Sequence, residues 1–161
     1  MTPPRLFGEV NTRQAREDDL PVLAVFEREL AKLSFPDDPI MSLDYHQAKL
    51  ARALRAEPEG MIVLTGEDDY DIVGWLWLST KRTLATSERY GVLRSLYVRH
   101  DLRRQGFASA LVSYAQRYFD SRGIRRVVAK AHVDSESGQR TLTRGGFKPL
   151  HLTYEWRKEQ E

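Results

Sequence analysis

The sequence predicts a mixed α/β fold with the element order β-α-α-β-β-β-α-β-α-β, and three observations carry that reading. Apolar residues recur at helical spacing near the start, gather into short strand-like runs in the middle, and then alternate between the two periods. The 161 residues include 41% hydrophobic and 30% charged positions, a globular balance that fits a single domain over residues 1–161. There is no cysteine, which excludes a disulfide scaffold, a thiolate zinc site and a cysteine nucleophile.

The segment around Val10 and Thr12 reads as a first strand. Asp18 and Asp19 offer a helix N-cap and Pro21 suits a first turn, after which Leu23, Phe26, Leu30 and Leu33 form one helical face. Pro36 and Pro39 break that helix. A second helix from about Ser42 to Glu57 turns Leu43, Leu50 and Leu54 inward and ends at Pro58 and Gly60. Met61–Leu64 and Ile72–Leu78 are apolar strands joined by an acidic turn, so they predict a hairpin with Trp75 and Trp77 in the core. Val92–Val98 is a further central strand.

From Gly106 the period is helical again, with Ala108, Leu111, Val112, Ala115 and Phe119 in one stripe closed at Gly123. Val127–Val133 reads as a strand with Ala129, Ala131 and Val133 toward the core and Lys130 and His132 on the opposite face. Ser135–Arg144 is a short helix stopped by Gly145-Gly146. Phe147–Trp156 is a last strand with Leu150, Leu152 and Tyr154 on one side, followed by a frayed charged tail over 157–161.

The net charge of +2 is too small for a general nucleic-acid binder, although Arg99, Arg103 and Arg104 cluster, as do Arg122, Arg125 and Arg126. No apolar run approaches the roughly 20 residues that span a bilayer. The start, Met1-Thr2-Pro3-Pro4-Arg5, lacks the apolar centre of a secretory signal, so a cytoplasmic protein without membrane or nucleic-acid partners is expected. The four histidines show no metal-ligand spacing, and no metal is expected.

The stretch Val98-Arg99-His100-Asp101-Leu102-Arg103-Arg104-Gln105-Gly106-Phe107-Ala108 joins a strand to a helix through a basic, glycine-containing turn. A helix N-terminus presents unpaired N–H groups and the positive end of a dipole, and a glycine lets backbone approach a ligand closely. Together with Arg103 and Arg104 these features describe a phosphate cradle; an ordinary strand-to-helix turn with surface arginines is the plain alternative. It is neither a Walker loop nor a dinucleotide fingerprint.

Arg103-Arg104-Gln105-Gly106-Phe107-Ala108 resembles the Arg/Gln-x-x-Gly-x-Gly/Ala signature of the GNAT superfamily, the acyl-CoA-dependent N-acetyltransferases. Leu96-Tyr97-Val98 is similar to that family's fourth strand, Gly145-Gly146-Phe147 to its closing motif, and Thr12–Leu20 to its opening strand and helix. The resemblance implies a mostly antiparallel sheet splayed between the fourth and fifth strands, with acetyl-CoA inserted there as cosubstrate. It assigns the pantetheine arm to Leu96, Tyr97 and Val98, and the pyrophosphate to Arg103, Arg104, Gln105, Gly106, Phe107 and Ala108, with Ser135 at the place of a frequent asparagine. Homodimers are common in the family, so a homodimer is a further expectation.

The implied reaction is direct attack of an acceptor amine on the thioester. Family members often carry a tyrosine acid and a glutamate base, at places occupied here by Leu142 and Lys130. His132 is a candidate substitute base, with a surface histidine as the plain alternative, and Tyr154 a candidate substitute acid, with Tyr114 and Glu88 as further candidates; Arg94 and Lys130 are acceptor-binding candidates that favour an amine also bearing a carboxylate or phosphate. The competing reading is a non-catalytic module of the same fold that binds acyl-CoA or regulates a partner.

Overall fold

The computed structural model describes residues 11–160, so the part of the expected first strand at Val10 lies outside the described residues. Strand β1 (Asn11–Gln14) is followed by a one-turn 3-10 helix and then by helices α1 (Leu20–Ser34) and α2 (Leu43–Ala56). Strands β2 (Met61–Thr65), β3 (Ile72–Arg82) and β4 (Arg89–Val98) lead into helix α3 (Phe107–Asp120), strand β5 (Val127–Ala129) and helix α4 (Glu136–Arg144). The five strands form one sheet in sequence order, antiparallel except for the parallel pair β4 and β5.

The runs in β2 and β3 are apolar throughout because both faces of the sheet are covered. Met61, Val63, Trp75 and Trp77 pack against Leu20, Leu23, Phe26 and Leu50 of α1 and α2. Ile62, Leu64, Leu76, Leu78 and Leu93 pack against Leu111, Val112, Ala115 and Phe119 of α3. Each such fully buried side chain contributes about 1.5–3 kcal/mol through area removed from water. Buried Trp75 donates its indole N–H to the buried carboxylate of Glu27 at 3.2 Å, which keeps a polar atom of the core satisfied.

Helix ends follow local chemistry. The Ser42 hydroxyl accepts from the Tyr45 N–H at 3.2 Å and starts α2, and the Ser135 hydroxyl accepts from the Gly138 N–H at 3.3 Å and starts α4. Past the end of α3, Gly123 adopts φ 71, the left-handed conformation glycine tolerates. Asp19 departs from its expected capping role. Its carboxylate accepts the Arg16 N–H at 2.7 Å and binds Arg13 through two bonds of 2.7 and 2.9 Å, fixing β1 to the start of α1.

Several expectations are corrected. Leu33 and Leu43 are exposed, not inward. Strand β5 ends at Ala129, and Ala131 and Val133 are exposed rather than buried. Residues 147–156 form no strand, and Leu150, Leu152 and Tyr154 are exposed. The last two differences share a cause: a strand needs a hydrogen-bonded neighbour, and beyond Ala129 neither edge of the chain has one among the described residues.

Candidate active site

The site is built on an irregularity in β4. Its register with β3 pairs Trp77 with Ser95 and Leu78 with Leu93, leaving Arg94 as an inserted residue. On the near side of this bulge the Gly91 N–H donates to the Arg126 carbonyl at 2.8 Å, toward β5. On the far side the Arg99 N–H donates to the Val73 carbonyl at 2.7 Å, toward β3. Strand alternation therefore points the backbone of Ser95 and Tyr97 at β3, and that of Leu96 and Val98 at β5.

There is no β5 for them to meet. The ladder between the two strands covers Gly91–Leu93 and stops at the rung from Leu93 to Ala129. Leu96 and Val98 thus present main-chain groups into a gap between parted strands. Arg103 reaches back to this edge: its Nε donates to the Val98 carbonyl at 2.9 Å, and its guanidinium lies 5.7 Å from the Tyr97 ring. Arg103 is therefore tied to the end of β4, not extended from the loop. Tyr97 turns its ring to the other face of the sheet and stacks on Phe26 at 4.3 Å.

The chain then enters the basic loop. Arg104 has φ 64 and Gly106 has φ 86, two left-handed residues that curl the backbone into a concave turn before α3. Residues 103–106 are exposed, and Gly106 begins α3 with no side-chain cap. The main-chain N–H groups of Arg104, Gln105, Gly106 and Ala108 have no protein acceptor among the described residues. Phe107 is buried and packs on the α3 side of the core, anchoring the loop. Arg99 is held by Asp101 at 2.7 Å and Asp71 at 3.3 Å, and its hydrogen bond draws the Asp101 carboxyl below its usual range. Arg104 has no carboxylate partner among the described residues, so its charge is available at the loop.

Arg94 is exposed on the α1–α2 face, with its guanidinium 4.6 Å from the ring centre of Trp77. Lys49 lies 5.5 Å from the same ring and 3.8 Å from the Glu27 carboxylate. The spacing of Lys49 in α2 gave no signal that it would share a tryptophan with Arg94; only the packing of α2 across β3 brings them together. Lys130 is exposed just past β5.

His132 lies in the turn between β5 and α4, half-buried. Its Nδ1 accepts the Asp134 N–H at 3.1 Å, which leaves Nε2 as the nitrogen free to act. Ser135 uses its hydroxyl to cap α4, not to face the gap. Tyr154 is exposed on the segment after α4, and nothing in its position brings it to the thioester end of the gap.

A sheet opened beside its fourth strand, with the amides of Arg104, Gln105, Gly106 and Ala108 turned outward at the mouth of the opening, defines an α/β fold whose geometry suits an extended phosphorylated ligand. A model of the acetyltransferase (GNAT) family matches residues 24–147, and the chain belongs to that family. Solved structures agree in fold. A ribosomal-protein-alanine N-acetyltransferase from Brucella melitensis biovar Abortus is 20% identical with a TM-score of 0.67, covering 94% of this chain and 100% of its own. The aminoglycoside N-acetyltransferase AAC(6')-Iy in complex with CoA is 20% identical, with a TM-score of 0.69 and coverage of 96% and 98%. A predicted acetyltransferase with acetyl-CoA from Clostridium acetobutylicum is 17% identical, with a TM-score of 0.68 and coverage of 92% and 96%. Comparison with curated protein sequences returned no match.

Proposed function

We propose that this protein is a cytoplasmic N-acetyltransferase that moves the acetyl group of acetyl-CoA to a primary amine of a small molecule or a protein. The observation that carries the reading is the continuity of the gap edge at Leu96 and Val98 with the exposed amides of Arg104, Gln105, Gly106 and Ala108. The first length suits an amide-bearing pantetheine arm. The second suits a pyrophosphate, with Arg104 adding charge. CoA and acetyl-CoA in the solved relatives support the same ligand here.

The amine nitrogen attacks the thioester carbonyl, the C–N bond forms, and the C–S bond breaks as the thiolate leaves. The amine must give up a proton, since one with a pKa of about 10.4 is neutral only about 0.04% of the time at pH 7. His132 Nε2 is the base in this reading. Leu142 and Lys130 cannot supply the tyrosine and glutamate of other members, and the thiolate takes its proton from solvent. Arg94, with Lys130 across the gap, favours an acceptor that carries a carboxylate or phosphate beside its amine.

The test is thiol release from acetyl-CoA across a panel of amines, run beside thermal unfolding with CoA. Turnover with an anionic primary amine, and stabilisation that grows as RT ln(1+[L]/Kd), are expected. CoA stabilisation without transfer to any amine would convert the assignment to a non-catalytic acyl-CoA module. The loss of both proton-transfer residues, Leu142 and Lys130 standing in their places, is what favours that second reading.

A further inference from the structure

The net charge of +2 conceals an uneven distribution. Six cations gather where the β3–β4 hairpin meets the turn between α3 and β5: Lys81, Arg82, Arg89, Arg122, Arg125 and Arg126. Taking them from the 25 Lys and Arg leaves the rest of the chain acidic, against 23 Asp and Glu. Contacts join the two turns. Arg89 Nη2 donates to the Arg122 carbonyl at 3.2 Å, the Gly91 N–H donates to the Arg126 carbonyl at 2.8 Å, and the Arg126 guanidinium lies 5.2 Å from the Tyr90 ring centre. Successive residues of β4 face opposite sides of the sheet, so Arg89, and Tyr90 with its arginine, wrap this end from both faces.

All but Arg122 are exposed, and none of the six forms an ion pair among the described residues. Arg82 stands directly across from Arg89 in the ladder, a like-charge pair that costs stability until an anion joins it. Within the chain, Arg82 bonds the Ser87 carbonyl, Arg89 the Arg122 carbonyl, and Arg122 the Tyr118 carbonyl and the Ser121 hydroxyl. These neutral acceptors fix the planar forks without spending their charge.

We infer that this end of the sheet docks on duplex nucleic acid through its phosphate backbone. All of the six but Lys81 are arginines, whose fork matches phosphate oxygens in pairs. A protein partner needs an apolar centre, and the large apolar side chain that these turns expose is Leu84 alone, at the hairpin tip. A single strand needs open aromatic faces for its bases, and the half-buried Tyr90 ring already carries Arg126 on its face. Phosphate contacts hold no sequence information, so the docking is independent of sequence. The patch lies past the C-terminal end of the 14-residue helix α3, about 21 Å from the Gly106 turn at its start. The inference does not depend on acetyl transfer.

The experiment titrates a fluorescent DNA duplex of about 20 base pairs and arbitrary sequence with the full chain, read by anisotropy. Micromolar binding is expected at about 50 mM salt. About four phosphate contacts give a slope of about −3.6 in log affinity against log salt, so binding weakens about 150-fold by about 200 mM. Arg82→Gln/Arg89→Gln is expected to weaken binding about tenfold or more and to take about 2 from the slope. Arg125→Gln, at an exposed side chain, is expected to take about 1 from it. Thermal stabilisation by CoA stays at the wild-type level in both variants, which shows that the fold survives, and saturating CoA leaves duplex binding unchanged. No binding by about 100 μM protein at about 50 mM salt overturns the inference. So does binding that both variants leave unchanged, or binding that CoA displaces, which would move it to the Gly106 turn. Equal competition by polyglutamate of matched charge also overturns it, in favour of an acidic protein.

Discussion

Leu93 and Ala129 form the last rung between β4 and β5, and Arg94, the next residue on β4, is the bulge after which the two strands part. The inserted residue changes which backbone groups face β5. Without it, Leu96 and Val98 would spend their amides on β3, and the positions of Ser95 and Tyr97 would face the gap in their place. One extra residue in one strand, placed immediately after the final rung, thus sets which residues line the opening.

The loop that follows depends on its glycine. Gly106→Val must hold an L-residue at φ 86, a conformation that costs about 1–2 kcal/mol. The loop then relaxes away from the concave shape, and CoA affinity is expected to fall about tenfold or more by titration calorimetry. Gly123→Ala supplies the control. It occupies φ 71 with nothing within 4 Å of an added Cβ, so it loses stability by a similar route while CoA affinity holds.

Gly91 sets the distance between β4 and α3. A Cβ added there would lie 2.7 Å from three atoms of the Phe119 ring, which is fully buried and cannot retreat. Gly91→Ala is expected to destabilise the protein by about 1–3 kcal/mol, as overpacking of a filled core does. Urea unfolding should show a lower midpoint with an unchanged slope.

The pairing of Asp19 with Arg13 predicts an acid-sensitive contribution to stability. Burial raises the Asp19 pKa, but the bonds from Arg13 and the Arg16 N–H outweigh it, and the carboxyl is held below its ordinary value. A carboxyl lowered on folding stabilises the protein above its unfolded pKa of about 3.9 and loses that effect as pH falls through its folded pKa. The urea midpoint should therefore drop on acidification below about pH 4. Asp19→Asn should cost about 1–3 kcal/mol at pH 7 and remove this part of the acid dependence. An unaltered acid profile in the variant would count against the pair.

Much of the architecture was legible because it rests on local pattern. The stripe from Leu111 to Phe119 gave α3, the helices expected from about Ser42 and from Ser135 begin there, and the turn from Arg103 to Ala108 stood out as a basic, glycine-containing entry to α3. The bulge at Arg94 was hidden, since it exists only relative to the register of β3. The approach of Lys49 to Trp77 was hidden for the same reason. The strands expected through Val133 and Trp156 have sound alternation, yet pairing requires a neighbour and period alone cannot supply one.

His132 tests the chemistry most directly. Removing a general base costs about 10²–10⁴ in rate. His132→Gln is expected to lower kcat about 100-fold near pH 7 while leaving CoA affinity unchanged, because the Nδ1 contact at 3.1 Å is to the local backbone at Asp134. The loss should shrink as pH rises toward the acceptor's own pKa of about 10, where the amine is neutral without help. A merely structural role for His132 would give a loss that does not vary with pH. A pH–rate profile of both proteins separates the two outcomes, and a constant ratio between them would remove His132 from the reaction.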